Sequence, residues 1–431
     1  MNFECRKSRL DGEVLIPGSK SHTIRGLVIA AFADGTSTLH QPLNSADTLS
    51  AENAVKAFGA NITKKEQTWL VEGNGGRIDV SQEKVDLGNS GTALRILMGV
   101  ASLLPEGRTI IFDGDEQLRK RPAAPLLKAL NDLGANVCSI NSNDCPPYRI
   151  QGSLQGGKTS LEAVSSQYLT SLLIACPLAP NSTSIDVPLL YESQYVDMTL
   201  EWLDFAGIEL KHQGKQNFHI PGGQAYHPFE KQIPADFSSA SFFFAAGALN
   251  GNSVTCRGLD MEDPQADKAV LSYLEKMGAS VKFDDDEITV SGGNLKGVEL
   301  DLNETPDALP IMAVVACFAE GKTSLRNVAQ ARIKETDRIA CMAAELRKLG
   351  ATVEEHEDGL TIFGSNLKPT VVDGHSDHRI VMALAVAGLN ISGKTVIQHA
   401  EAADVTFPEF AALMQSIGAE INDVENNELQ S

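Results

Sequence analysis

The sequence predicts an α/β protein of two domains, assembled from six copies of one βαβαββ unit. Three observations predict it. A glycine turn between helix and strand recurs as "AFGANI", "DLGANV", "FAGIEL", "KMGASV", "KLGATV" and "SIGAEI", with Gly59, Gly134, Gly207, Gly278, Gly350 and Gly418 spaced 68 to 75 residues apart. Apolar stretches rich in small residues keep the same period: "GLVIAAFADG", "ILMGVASLLPEG", "SLLIACPLAPN", "SFFFAAGALNG", "IMAVVACFAEG" and "VMALAVAGLNISG". Finally, 431 residues exceed what one hydrophobic core ordinarily holds.

Each element follows from its residues. The apolar stretches predict buried helices, each ending in a turn and a strand such as "TSLRNV" or "TVIQHA". An amphipathic stretch then predicts a surface helix, which stops at glycine because glycine readily takes the left-handed cap conformation. Two strands complete the unit. Two or three such turns could be accidental, but six in phase with six buried helices are a repeat.

Composition excludes several classes. A net charge of −20 argues against nucleic acid and acidic membranes as partners. No apolar run reaches the roughly 18 to 20 residues of a membrane span, and "MNFECRKSRLDGE" lacks the apolar core of a signal peptide. The seven cysteines are scattered without a C-x-x-C pair, which fits reduced thiols rather than a disulfide frame or zinc site. A cytoplasmic protein is expected, with "NDVENNELQS" as a disordered tail.

The polar residues gather just before the buried helices. In order they are Lys20, Ser21 and Arg25; Asn89, Ser90, Gly91, Thr92 and Arg95; Ser165, Ser166 and Gln167; Asp236, Ser238 and Ser239; Asp307; and Asp377, His378 and Arg379. Helix capping accounts for Asp236, Ser238 and Ser239. It does not account for Lys20, Arg25 and Arg379, since a cation at a helix N-terminus opposes the macrodipole unless an anion lies between. "RKRP", containing Arg121, reads equally as a solvated loop or as part of an anion site. In "QARIKETDRIACMAAELRKLG" a helix is expected from Gln330, with Lys334 and Arg338 on the same face and Glu335 beside them. By contrast "GSLQGGKT" fits a nucleotide-loop pattern, but "TSLEAV" after it reads as a strand, which argues against that loop.

In order along the chain, "PGSKS…R", "LGNSGTALR", "RKRP", "SSQYLTSLL", "YVDMTL", "PDALP", "KETDRI" and "DHR" resemble the signatures of the EPSP synthase (3-phosphoshikimate 1-carboxyvinyltransferase) family of enolpyruvyl transferases. The resemblance implies an inside-out α/β barrel fold of two domains, three units each, with the active site in the interdomain cleft. Domain one is then residues 18–230, and domain two is 1–17 with 231–431. The implied reaction transfers the enolpyruvyl group of phosphoenolpyruvate to the 5-hydroxyl of shikimate-3-phosphate, releasing phosphate. Carried over by position, Lys20, Asn89, Gly91, Arg121, Gln167, Arg338 and Arg379 hold phosphoenolpyruvate. Lys20, Ser21, Arg25, Ser165, Ser166, Gln167, Tyr195, Asp307, Gln330 and Lys334 hold shikimate-3-phosphate. Asp307 is the implied base, and Lys20 and Glu335 the groups that move protons at the methylene carbon. The resemblance further implies a monomer, no metal or organic cofactor, and inhibition by glyphosate at the phosphoenolpyruvate site.

Four positions depart from the family pattern. Glu192 stands where Ser is usual, and is expected to point away from the 3-phosphate or to yield its place to Ser193. Val405 replaces a Lys, Gln330 an Asn, and Ile96 a Pro. Two alternatives remain. One is the sister transferase acting on UDP-N-acetylglucosamine, disfavoured by Ser21 after Lys20 and by a loop without Cys; the other is a non-catalytic anion-binding relative.

Overall fold

The computed structural model describes residues 1–425. They form two compact units, one of Gly18–Pro234 and the other of Met1–Pro17 with Ala235–Ser431. Among the described residues each unit holds three four-stranded sheets of a single pattern. A parallel pair comes first, then two antiparallel neighbours, as in Lys84–Asp86, Thr109–Asp113, Tyr148–Gln151 and Asn136–Ser139.

Buried and outer helices alternate along the chain: α1 Lys20–Phe32, α2 Ala46–Ala57, α3 Gly91–Ala101, α4 Ala124–Asp132, α5 Ser166–Ala175, α6 Gln194–Phe205, α7 Phe237–Ala248, α8 Ala269–Met277, α9 Leu309–Cys317, α10 Arg338–Lys348, α11 His378–Gly388 and α12 Phe410–Ser416. The odd-numbered helices are buried on nearly every face, as their small apolar residues require. They form the centre of two separate hydrophobic cores, one in each unit. Close approach sets some of this composition. A Cβ on Gly99 of α3 would lie 2.4 Å from the Ser171 carbonyl oxygen of α5, so only glycine lets these helices touch. The six turn glycines all adopt positive φ, from 83° to 106°. No helix among the described residues is long and apolar enough to cross a membrane.

Three units of the repeat are completed from elsewhere in the chain, which the local pattern did not reveal; in the fourth, Asp11–Leu15 supplies the leading strand, parallel to Ser253–Arg257. In the first, Glu230–Gln232 pairs in parallel with Thr36–His40 and supplies the leading strand, so this unit of structure runs on to Pro234. In the sixth, only Glu420–Val424 follows the glycine turn, and Asn2–Arg6 fills the remaining place, paired to both Lys394–Gln398 and Glu420–Val424. The tail expected to be disordered is therefore a strand as far as Val424, and its residues 426–431 lie outside the described residues. Residues 157–163 form a strand, so no helix follows the "GGKT" turn to receive a nucleotide phosphate.

Candidate functional site

In the Gly18–Pro234 unit the polar residues before α1, α3 and α5 are held in several hydrogen-bonded groups. Ser19 caps α1, and the Lys20 ammonium lies 3.2 Å from the Asp47 carboxylate at the start of α2. Arg25 is buried; its Nε donates to Thr199 at 2.9 Å, Nη1 to the Ser21 carbonyl at 3.0 Å, and Nη2 to Thr170 and the Tyr195 carbonyl at 3.3 Å each. Burial pulls its pKa down to about 10, with Tyr195 and Glu192 pulling the other way, so it stays charged at neutral pH.

Glu192 does not point away from this network. It is buried, and the Ser166 hydroxyl donates to its Oε2 at 2.9 Å. Its backbone is left-handed, with φ 55°. The Ser193 hydroxyl accepts from Lys215 at 3.3 Å. Ser165 caps α5 through the Gln167 N–H.

Before α3, Ser90 caps the helix. The Asn89 amide donates to Asp115 at 2.7 Å and Gln117 at 2.6 Å, and its oxygen accepts from Arg121. Thus "RKRP" is divided: Arg119 and Lys120 are exposed and pair with Asp113 and Glu116, while Arg121 is buried and turned toward Asn89. A Cβ on Gly91 would lie 2.8 Å from Arg121 Nη1. Arg95 donates to the Gln167 oxygen at 2.9 Å, and the Gln167 amide donates to Thr92 at 3.0 Å. Ile96 sits fully buried inside an unbroken α3.

The other unit carries three carboxylates laced to three cations. Fully buried Arg338 donates from Nε to Asp377 at 2.8 Å, from Nη1 to Asp307 at 2.7 Å and from Nη2 to Glu335 at 2.5 Å. Arg379 lies 3.1 Å from Asp307 and donates to the Ser238 hydroxyl at 2.7 Å; Lys334 lies 3.8 Å from Asp307. Burial works to raise the pKa of Asp307, yet Arg379, Lys334 and Arg338 overcome it and hold the carboxyl far below the usual range. Asp377, also buried, is held low chiefly by Arg338.

The expected helix from Gln330 is broken. Ala329–Ile333 is a 3-10 turn and α10 starts only at Arg338, so Gln330, Lys334 and Arg338 do not share a helix face. Asp337 causes the break: its carboxylate caps the Ala340 N–H at 3.0 Å and also holds Arg332 at 2.7 Å. Gln330 donates to the Asn303 carbonyl at 2.8 Å, and Val405 is half-buried in another 3-10 turn.

Sequence reasoning missed other members. Arg95, Thr92, Asp377 and Ser238 were visible beside helix starts, but only as caps or neighbours. Asp47, Thr170 and Thr199 gave no local signal, since each finds its partner across the fold. Asp236 is a true cap, accepting from the Ser238 N–H at 3.0 Å.

The buried groups also set an acid limit on stability. Burial drives His378 down to about 3, so it is neutral in the folded protein and must charge when the chain unfolds below about pH 6.5. Unfolded chains thus bind more protons on the acid side, and stability falls as pH drops from about 6.5 toward 3, with Asp307 and Asp377 adding to the loss below about pH 4. Urea midpoints measured across this range should show a steady decline. His378→Gln should remove the part above about pH 4; an unchanged slope would mean His378 is not buried neutral.

The fold and these networks define a class: a two-unit repeat protein that concentrates arginines and acids at helix starts. A sequence model of the family "EPSP synthase (3-phosphoshikimate 1-carboxyvinyltransferase)" matches residues 5–414. The chain is 49% identical over 425 residues to the 3-phosphoshikimate 1-carboxyvinyltransferase of Acetivibrio thermocellus, covering 99% of this chain and 100% of that one. It is 48% identical over 421 residues to the protein of that name from Ruminiclostridium cellulolyticum, covering 98% and 99%. The solved EPSP synthase of Acinetobacter baumannii superposes with a TM-score of 0.81 at 28% identity, covering 98% of this chain and 100% of that one. The chain belongs to the EPSP synthase family.

Proposed function

We propose that the protein transfers the enolpyruvyl group of phosphoenolpyruvate to the 5-hydroxyl of shikimate-3-phosphate, giving 5-enolpyruvylshikimate-3-phosphate and phosphate. What carries the reading is Asp307 gripped by Arg338, Arg379 and Lys334, with Glu335 adjoining, in a chain of this family. Each substrate brings roughly two and a half to three negative charges, which such arginines are suited to receive. The sister transferase loses ground, because the relatives reported above share one name. The same reading makes the protein a cytoplasmic monomer.

The chemistry is an addition followed by an elimination. The 5-hydroxyl oxygen bonds to C2 of phosphoenolpyruvate while C3 takes a proton; C3 then loses a proton as phosphate leaves C2. Asp307 accepts the hydroxyl proton, and Lys20 and Glu335 serve C3. As long as three cations neutralise it, Asp307 is a weak base. When substrate anions take over Arg338 and Arg379, its basicity rises, so binding prepares the base. Lys20, Asn89, Gly91, Arg121 and Gln167 complete the phosphoenolpyruvate set; Ser21, Arg25, Ser165, Ser166, Tyr195, Gln330 and Lys334 complete the other. Phosphate release from the two substrates tests the whole reading, and its absence in folded protein would reject it.

Two variants test the placement. Glu192 occupies the Ser166 hydroxyl that the 3-phosphate needs, and like charges about 4 Å apart near a surface repel by about 4 kcal/mol. Glu192→Gln is therefore expected to tighten shikimate-3-phosphate binding by about tenfold or more, leaving phosphoenolpyruvate unaffected. Unchanged or weaker binding in a titration would remove Ser166 from the phosphate subsite. At Gly91, an added Cβ must displace the end of Arg121, 2.8 Å away. Gly91→Ala should cost glyphosate, the longer ligand, about 1 to 3 kcal/mol, and phosphoenolpyruvate less. Equal losses would show that Gly91 is not a size filter.

A further inference from the structure

Arg25 and Arg338 are both fully buried cations, yet they are held by opposite means. Three carboxylates grip Arg338. Arg25 is bonded to no carboxylate among the described residues, and each oxygen that accepts from it is neutral. Nε reaches the Thr199 hydroxyl on α6, Nη2 the Thr170 hydroxyl on α5 and the Tyr195 carbonyl, and Nη1 the Ser21 carbonyl one turn back on α1. Glu192 acts on its charge from nearby without bonding to it. Burying a charge without an opposite partner is costly, and an anion brought by a ligand would offset that cost.

The direction of each bond follows from what the groups can do. A guanidinium only donates, so both threonine oxygens accept from it. Thr199 has one hydroxyl proton, and gives it to the Tyr195 carbonyl at 3.0 Å, one turn back on α6. In the 2.9 Å contact between the two threonines the donor is therefore Thr170. Thr199 then accepts from Nε and from Thr170, while the Tyr195 carbonyl accepts from Thr199 and from Nη2. A guanidinium side chain carries five N–H bonds. Four are taken here, and one on Nη1 is left among the described residues.

We propose that Thr199 and Thr170 are positioning residues for shikimate-3-phosphate: they fix Arg25 with neutral oxygens and so present its undiminished charge, with one Nη1 N–H, to an anionic group of that substrate. The inference rests on Arg25 belonging to the shikimate-3-phosphate set proposed above. A carboxylate in place of Thr199 would hold the guanidinium more tightly, but would meet its charge inside the protein. The hydroxyl keeps the same position without that competition. These bonds also join α1 to α5 and α6, so Arg25 cannot turn its remaining N–H without breaking contacts to both.

The test uses the whole protein, with calorimetric titration of shikimate-3-phosphate and steady-state kinetics for both substrates. Thr199→Val keeps the shape and removes the hydroxyl, which leaves the Nε N–H buried without an acceptor. It should weaken shikimate-3-phosphate binding by about tenfold and raise its KM to match, while kcat and the KM for phosphoenolpyruvate stay within about twofold. Thr199→Ser, which keeps the hydroxyl, should restore most of the affinity. Thr170→Val should cost less, about threefold, because Nη2 retains the Tyr195 carbonyl.

The charge argument has its own comparison. Thr199→Asp should bind shikimate-3-phosphate about tenfold or more weakly than Thr199→Asn, since the two side chains share a shape and differ in charge. Should Thr199→Val unfold, Thr170→Val and this pair still decide. Unchanged affinity in Thr199→Val, a loss that Thr199→Ser shares, or equal binding by the Asp and Asn variants would overturn the inference. So would a fall in kcat together with both affinities, which marks a structural role. Unmutated protein that does not bind shikimate-3-phosphate would reject the proposed function, and this inference with it.

Discussion

Asp307→Ala is expected to lower turnover by about 10²- to 10⁴-fold in a protein that still folds. The variant removes one of the three carboxylates that share Arg338, one that also lies 3.1 Å from Arg379 and 3.8 Å from Lys334. A purely structural role for Asp307 and a role as base then part company in the kinetics. As a base, its loss lowers kcat while phosphoenolpyruvate binding holds or tightens, because Arg338 and Arg379 lose an internal competitor for anions. As a structural anchor, its loss would disorder the arginines and raise KM. Stopped-flow turnover together with direct binding separates the outcomes, and near-normal kcat in the folded variant ends the assignment of the base.

How much of this could be read from the sequence depended on whether the cause was local. Gly59 and its five counterparts were legible because a left-handed cap is a demand of one position on one residue type. The buried helices were legible because no polar face interrupts "SFFFAAGA" or "LPIMAVVAC". The break before α10 was not, for "QARIKETDR" carries helix periodicity throughout. Asp337 overrides it by capping the Ala340 N–H and holding Arg332. The sixth sheet could not be closed from local pattern either, since its third strand in spatial order comes from Asn2–Arg6. In the site, the cations announced themselves by opposing a helix dipole, whereas their acids did not. Asp47 near Lys20 and Asp377 under Arg338 look like ordinary first-turn or cap residues until the fold places them. Glu192 shows the limit most clearly: its identity was plain as a departure, but its partner, Ser166, lies 26 residues away and is found only in the fold.

Arg338→Met should destabilise the unit that contains it by about 3 to 5 kcal/mol, since removing one partner of a buried pair strands the other. Methionine nearly fills the volume, so the loss is electrostatic rather than a cavity. The stranded groups are Asp377, wholly buried, and Asp307 and Glu335, mostly so. Against a typical domain stability of about 5 to 15 kcal/mol, this is a large fraction. The pH dependence identifies the cause. Arg338 is the largest influence holding Asp377 low despite its burial; without it, burial and the neighbouring Glu335 carboxylate push that carboxyl upward. The variant's deficit should therefore be greatest at neutral pH and shrink as pH falls toward about 4, where the carboxyl takes a proton in both states. Adding Asp377→Asn to Arg338→Met should recover much of the loss at neutral pH, because the amide oxygen can still cap the Arg379 N–H, now held at 2.9 Å, without carrying charge. Urea unfolding of the single and double variants at several pH values measures each step. A loss below about 1 kcal/mol for Arg338→Met, the range of exposed pairs, would mean that water reaches these carboxylates and that the arginine is held for substrate alone.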